Sequence, residues 1–225
     1  MFDSIHSARW LTQFQTQKID FLLFPSSPHR RLHPELERLL SGSGEATFRL
    51  VPLARYFALP LWILDKFANN FFRASLLKAA IKNFQPSTVQ SLELQNAGYL
   101  ALRDLSAGKP KGLKLLVTNW ASDIFWCQQF PKHKVNLQKL LRLADYYSAE
   151  CERDVVLARN LGFTGHAMPV IPNAGGFSEV DFEIPNWPPV DARQLPPRAI
   201  TAGWVGPKYP SRQSKRCLKS LRATK

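Results

Sequence analysis

Short apolar runs alternate along this chain with longer amphipathic ones. Ile19 to Phe24 (IDFLLF), Thr47 to Val51, Thr88 to Leu92 and Leu113 to Thr118 (LKLLVT) have strand length. The first and last of these are nearly continuous in apolar residues, as parallel strands covered on both faces require. Between the runs, Ile5 to Gln17, Leu61 to Phe84 and Lys132 to Leu143 carry apolar residues at helical spacing. Trp10, Leu11 and Phe14 give the first a face. Trp62, Ile63, Phe67, Phe71, Leu76, Leu77 and Ile81 supply the second, and Val135, Leu140 and Leu141 the third. Pro60 suits the start of the second helix and not its middle, because proline lacks an amide N–H. Glu93 to Ser106 reads as a helix or a loop leading into one. The alternation predicts an α/β fold of about six parallel strands with right-handed crossovers, Ile19–Phe24 and Leu113–Thr118 being central.

The segment from Asp145 to Phe177, DYYSAECERDVVLARNLGFTGHAMPVIPNAGGF, organises the rest. Asp145, Tyr146 and Tyr147 close a short aromatic strand. Ser148 is placed to cap a helix, since its hydroxyl can accept from an unpaired backbone N–H of the first turn. Glu150, Glu152 and Asp154 crowd the positive end of that helix and Arg159 lies near the negative end. Val155, Ala158 and Leu161 give the apolar face, and Gly162 ends it in a left-handed cap. Ala167 to Ile171 is a second short strand, running into Pro172-Asn173-Ala174-Gly175-Gly176. The segment is therefore a strand–helix–strand unit that ends in a glycine turn.

At these residues the chain resembles a known family. VIPNAGGF is similar to the VIPNG-type segment that ends the N-terminal domain of GT-B glycosyltransferases, and the retaining group 1, or family four, branch is the nearest. DYYSAECERDVVLARNLGF resembles the last acceptor-domain strand and helix of that branch. The resemblance covers roughly residues 4–180. It implies a Rossmann-like parallel sheet flanked by helices, one half of a GT-B enzyme. It also implies that Asn173, Gly175 and Gly176 enter the cleft between two domains.

DSIHSARWLTQF looks like the loop and helix that follow the family's first strand, of which Met1-Phe2-Asp3 is all that remains here. A gap or weak position in the middle of the sheet is the expected consequence. VTNWASDI looks like the family's VTxHGxD-type loop, with Trp120 where a histidine is often found and Ala121 where glycine is. The resemblance implies an acceptor pocket at the carboxyl ends of the strands, built from Ser7, Arg9, Glu93, Gln95, Asn96, Asn119, Trp120 and Ser122. Asp123 and His6 are the implied catalytic residues. Trp120 can stack on a sugar face but its indole cannot act as a base. Asp123 can orient an acceptor hydroxyl or take its proton; capping the turn that follows is the competing role. His6, Asn119, Asp123, Glu93 and Asn173 are expected on one edge of the sheet, with Trp120 and the Ala174-Gly175-Gly176 turn exposed there.

The resemblance implies that the donor half is missing from this chain. In the family a C-terminal domain supplies a basic pair for the diphosphate and two glutamates spaced E-x7-E. After Asp191 this sequence holds no acidic residue, so the glutamate pair is not present in it. The implied organisation is an acceptor domain over 1–180, a proline-rich linker over 181–197 and a basic tail over 198–225. The implied function is hexosyl transfer from a nucleotide sugar to a saccharide or lipid-linked acceptor, with this chain truncated and inactive by itself. Neither a cofactor nor a metal is expected: His29 and His33 are four apart, but prolines surround them.

Charge changes this picture little. The net charge is +13, yet residues 198–225 hold eight Lys/Arg and no acid, leaving 22 basic and 17 acidic groups in the remainder. A basic tail on a mildly basic body weighs against a nucleic-acid partner for the body, and no nucleic-acid-binding motif is present. Two alternatives stay open: a Rossmann-like binding protein without catalysis, and nucleic-acid binding through the tail. No run of eighteen apolar residues occurs, and the N-terminus lacks the pattern of a signal peptide. Three widely spaced cysteines suit a reducing cytoplasm. The basic amphipathic segment 61–84 is compatible with core packing or with peripheral contact at the inner face of a membrane.

Overall fold

A computed structural model describes residues 5–26, 32–42, 44–52, 54–68, 70–120 and 123–171, with backbone alone for 54–58. The linker 181–197, the tail 198–225 and the implied site residues Ser122, Asn173, Gly175 and Gly176 lie outside them. The fold is α/β, with parallel sheets flanked by helices in a Rossmann-like arrangement. In chain order the elements are α1 (Ile5–Thr12), β1 (Asp20–Leu23), α2 (Pro34–Ser41), β2 (Thr47–Leu50), α3 (Ala54–Ala68) and α4 (Phe71–Phe84). They continue as β3 (Thr88–Ser91), a π-turn (Leu94–Gly98), α5 (Tyr99–Leu105), β4 (Lys114–Thr118) and α6 (Asp123–Cys127). The last are α7 (Pro131–Leu143), β5 (Tyr146–Ser148), α8 (Glu152–Asn160) and β6 (His166–Ala167).

Every described strand pair is parallel, but the strands form two sheets, β1-β2 and β3-β4-β5-β6. Each sheet has its own core. Leu36, Leu39, Leu23 and Phe48 centre the first, and Leu115, Val117, Leu137, Leu140, Leu141 and Tyr147 centre the second. β1 and β3 are the facing edges. Ser26, just past β1, donates from Oγ to Glu93 Oε1, just past β3, over 3.3 Å. Phe24 packs against the second core and Leu92 against the first. Among the described residues no strand pairing joins the two edges. From β1 the chain winds outward to β2, and from β3 it winds outward the other way, through β4 and β5 to β6. The winding therefore reverses between β1 and β3, and in open α/β sheets such a reversal opens a crevice at the carboxyl ends of the strands.

Several expectations need correction. Leu113–Thr118 does lie inside its sheet, as β4, but Ile19–Phe24 does not. It shrinks to β1, the edge of a two-stranded sheet, with Asp20 exposed and Phe21 and Leu22 half-buried. The segment 61–84 is two helices rather than one. α3 begins at Ala54 and contains Pro60, and the chain breaks at Asn70, whose φ of 63° is left-handed. Ser148 ends β5, and Cys151 is the residue that precedes α8. β6 is His166–Ala167, shorter and earlier than the run Ala167–Ile171.

Candidate functional site

Four strand ends converge around Asp123. Ser26 follows β1, Glu93 follows β3, Asp123 follows β4 and Glu150 follows β5. The backbone between β3 and α5 is wound as a π-turn, an irregularity common where side chains must be aimed at a site. It brings the Leu94 N–H to within 3.4 Å of Asp123 Oδ2, and the Gln95 amide to 3.4 Å from the Asp123 carbonyl oxygen and 3.0 Å from Cys127 Sγ. Asp123 thus spends one carboxylate oxygen on the π-turn. Burial pushes its pKa up to about 6; two backbone N–H donors, from Leu94 and Trp120, oppose the rise, and the negative charges of Glu93 and Glu150 add to it. A carboxylate that titrates near 6 is suited to taking a proton close to neutrality.

The surroundings are aromatic and hold their protons. Tyr99 Oη lies 3.0 Å from His133 Nδ1, and its pKa is raised, first by burial and then by Cys127 and Asp123. The Cys127 thiol is likewise pushed up, by burial first and by Asp123 second. It therefore stays a thiol near neutrality, which removes it as a nucleophile. Asp123 is a carboxylate whose protonation changes close to neutrality.

The other implied residues separate into distinct places. Glu93 and Gln95 are half-buried beside Asp123, and Asn96 is exposed on the π-turn. Asn119 is wholly buried. Its Nδ2 donates to Asp154 Oδ2 at 2.9 Å and its Oδ1 accepts from the Ile124 N–H at 3.0 Å, so it braces α6 and α8 against β4. Trp120 is not the exposed platform expected: it is half-buried, and its enclosed Nε1 has no hydrogen-bond partner among the described residues. His6, Ser7 and Arg9 ride on α1, which packs on α2. His6 is exposed, Arg9 half-buried, and Ser7 fully buried, its Oγ without a hydrogen-bond partner among the described residues.

Ser26, Glu150 and the Tyr99–His133 pair also belong to this region. Ser26 was signalled by its place just past a strand. Tyr99 and His133 are 34 positions apart on different helices, and nothing local links them. Among the described residues no group of three or more His, Cys, Asp or Glu could hold a metal ion. A cleft of about 550 Å³ lies elsewhere, at the amino ends of β1 and β2, lined by Gln15, Thr16, Glu45 and Phe48. Glu45 is the one titratable side chain among its described lining residues. No protein-family model, curated protein or solved structure matches the chain.

Proposed function

We propose that this chain is the acceptor-side half of a GT-B-type glycosyltransferase, which transfers a hexosyl group from a nucleotide sugar to a saccharide or lipid-linked acceptor. The observation that carries the reading is the convergence of Glu93, Gln95 and a partly buried Asp123, titrating near 6, at the point where the winding of the sheets reverses. Glu93 accepts from an acceptor hydroxyl, and the Gln95 amide fixes the loop that carries Asp123. Asp123 takes or orients the hydroxyl proton as the oxygen attacks the anomeric carbon. The diphosphate leaves toward groups of a second domain, because stabilising it needs cations placed beside the leaving oxygens. The expected setting is the cytoplasm.

Titration of the full chain with a panel of short oligosaccharides, followed by NMR, tests the reading. Binding at millimolar concentration with shifts at Glu93, Gln95 and Asp123 is expected, along with no measurable affinity for uridine- or guanosine-diphosphate sugars. Tight nucleotide-sugar binding to this chain, or saccharide shifts confined to other residues, would overturn it.

A further inference from the structure

The turn between α3 and α4 exposes more large apolar side chains than any other described part of the chain. Leu59, Ile63 and Phe67 repeat every fourth residue along α3 and are 46%, 48% and 89% exposed. Leu64 is exposed beside them. Across the turn Phe71 and Phe72, rings 5.6 Å apart and edge to face, are 52% and 39% exposed. Scattered apolar residues on a surface need no explanation, but a clustered set of this size marks a contact.

The cluster is held out rigidly. Asp65 accepts from the N–H groups of Phe72 and Arg73 at 2.8 and 3.2 Å, and from Arg73 Nε at 2.6 Å. Arg73 also donates to Asn70 Oδ1 at 2.7 Å and to the Ser26 carbonyl oxygen. The turn is thus tied through Arg73 to the end of β1.

Its charge is one-sided. Asp65 is the one acid between residues 54 and 84, and Arg73 neutralises it in the interior. Lys66, Lys78 and Lys82 remain exposed, Lys78 facing Asp104 of α5. Lys66 Nζ lies 4.0 Å from the centre of the Trp62 ring, so the ammonium sits over the indole face as a cation–π pair one turn along α3. An indole carrying a cation over its face, next to exposed phenylalanines, is a pairing that suits a lipid headgroup boundary.

We propose that the α3–α4 turn docks on an anionic bilayer, with Ile63, Phe67 and Phe71 entering the acyl boundary and Lys66 at the phosphates. No described helix is long and apolar enough to cross a membrane, so the turn lies in the interface and does not span. This inference goes beyond the glycosyl-transfer reading and holds or falls without it.

Co-sedimentation of the full chain with vesicles of equal parts phosphatidylglycerol and phosphatidylcholine tests it. Phe67→Ser and Ile63→Ser should each lower the partition constant about tenfold, because each withdraws a whole apolar side chain from the acyl region. Lys66→Gln should lower it about fivefold on anionic vesicles and leave phosphatidylcholine vesicles unaffected. Phe67 is nearly fully exposed, so an unchanged melting temperature will show that Phe67→Ser has left the fold intact. Wild-type partitioning by both serine variants would overturn the proposal and assign any vesicle binding to the basic tail. So would a wild-type dimer that Phe67→Ser converts to a monomer without vesicle affinity, which would make the patch a self-association surface.

Discussion

Arg73 and Asp65 form an ion pair, Nε to Oδ2 at 2.6 Å, with side chains only 9% and 1% exposed. The pair does three jobs at once. It satisfies the first N–H groups of α4, closes the α3–α4 turn, and ties that turn through the Ser26 carbonyl to the end of β1. Two charges in the interior are stable only while each has its partner, so removing one strands the other. Asp65→Ala should therefore destabilise the chain by about 3–5 kcal/mol in urea unfolding. Arg73→Met with Asp65→Leu should cost less than the two single changes added together. Additive losses would show that the two residues do not act as a pair.

Asp123 makes stability depend on pH. Its folded pKa of about 6 stands above the unfolded value near 3.8, because burial opposes its charge. The folded chain holds this proton more tightly. The contribution is thus fully present below about pH 4 and is lost as pH rises through about 6. Asp123→Asn should flatten that decline and raise stability at pH 7 by roughly 1–2 kcal/mol, after discounting for partial exposure. Chemical unfolding of both proteins between pH 4 and 7 measures the difference. Parallel pH curves would place the titrating group elsewhere. If the same carboxylate serves as base, turnover in a complete enzyme should rise through pH 6, and Asp123→Asn should abolish that limb.

Ser91 ends β3 with its hydroxyl buried and without a hydrogen-bond partner among the described residues. An enclosed hydroxyl with no partner costs about 1–3 kcal/mol, and alanine, which lacks it, removes the cost. Ser91→Ala should thus be neutral or stabilising by up to about 1 kcal/mol, read as a shift in melting temperature. A clear destabilisation would reveal a bonded partner for the hydroxyl at the open edge of β3.

The strand runs were legible because a buried parallel strand leaves a continuous apolar run, and Leu113–Thr118 shows it. Their assembly was legible only in part. The run Ile19–Phe24 promised a central strand, yet among the described residues it pairs with β2 alone. Nothing in those six letters records how many neighbours they have. The break at Asn70 had a visible signal, two successive asparagines, of which one takes the left-handed backbone that asparagine tolerates. The apolar letters on either side hid it. The grouping of Glu93, Gln95 and Asp123 followed from their positions just past strands, which a parallel sheet brings to one end. The burial of Asn119 did not follow, because Asp154, its partner, lies 35 positions away.

Gly98 links the packing of the second core to the candidate site. It closes the π-turn in an ordinary right-handed conformation, so backbone freedom is not what requires glycine there. Space is. A Cβ at this position would stand 2.6 Å from Leu140 Cδ2 and 3.2 Å from the Glu93 carbonyl oxygen. Leu140 is fully buried among Leu115, Leu137 and Leu141, and has little room to withdraw. The added methyl group must therefore push the π-turn outward, carrying Glu93 and Gln95 away from Asp123. Gly98→Ala should destabilise by about 1–3 kcal/mol, as overpacked cores do. It should also weaken saccharide binding at the crevice, whereas a purely structural role would change the melting temperature alone. Gly98→Ala combined with Leu140→Ala, which opens the space again, should recover the site more than the stability, since the second change removes buried apolar surface. A double variant that regains neither would show that Leu140 is not what holds the π-turn in register.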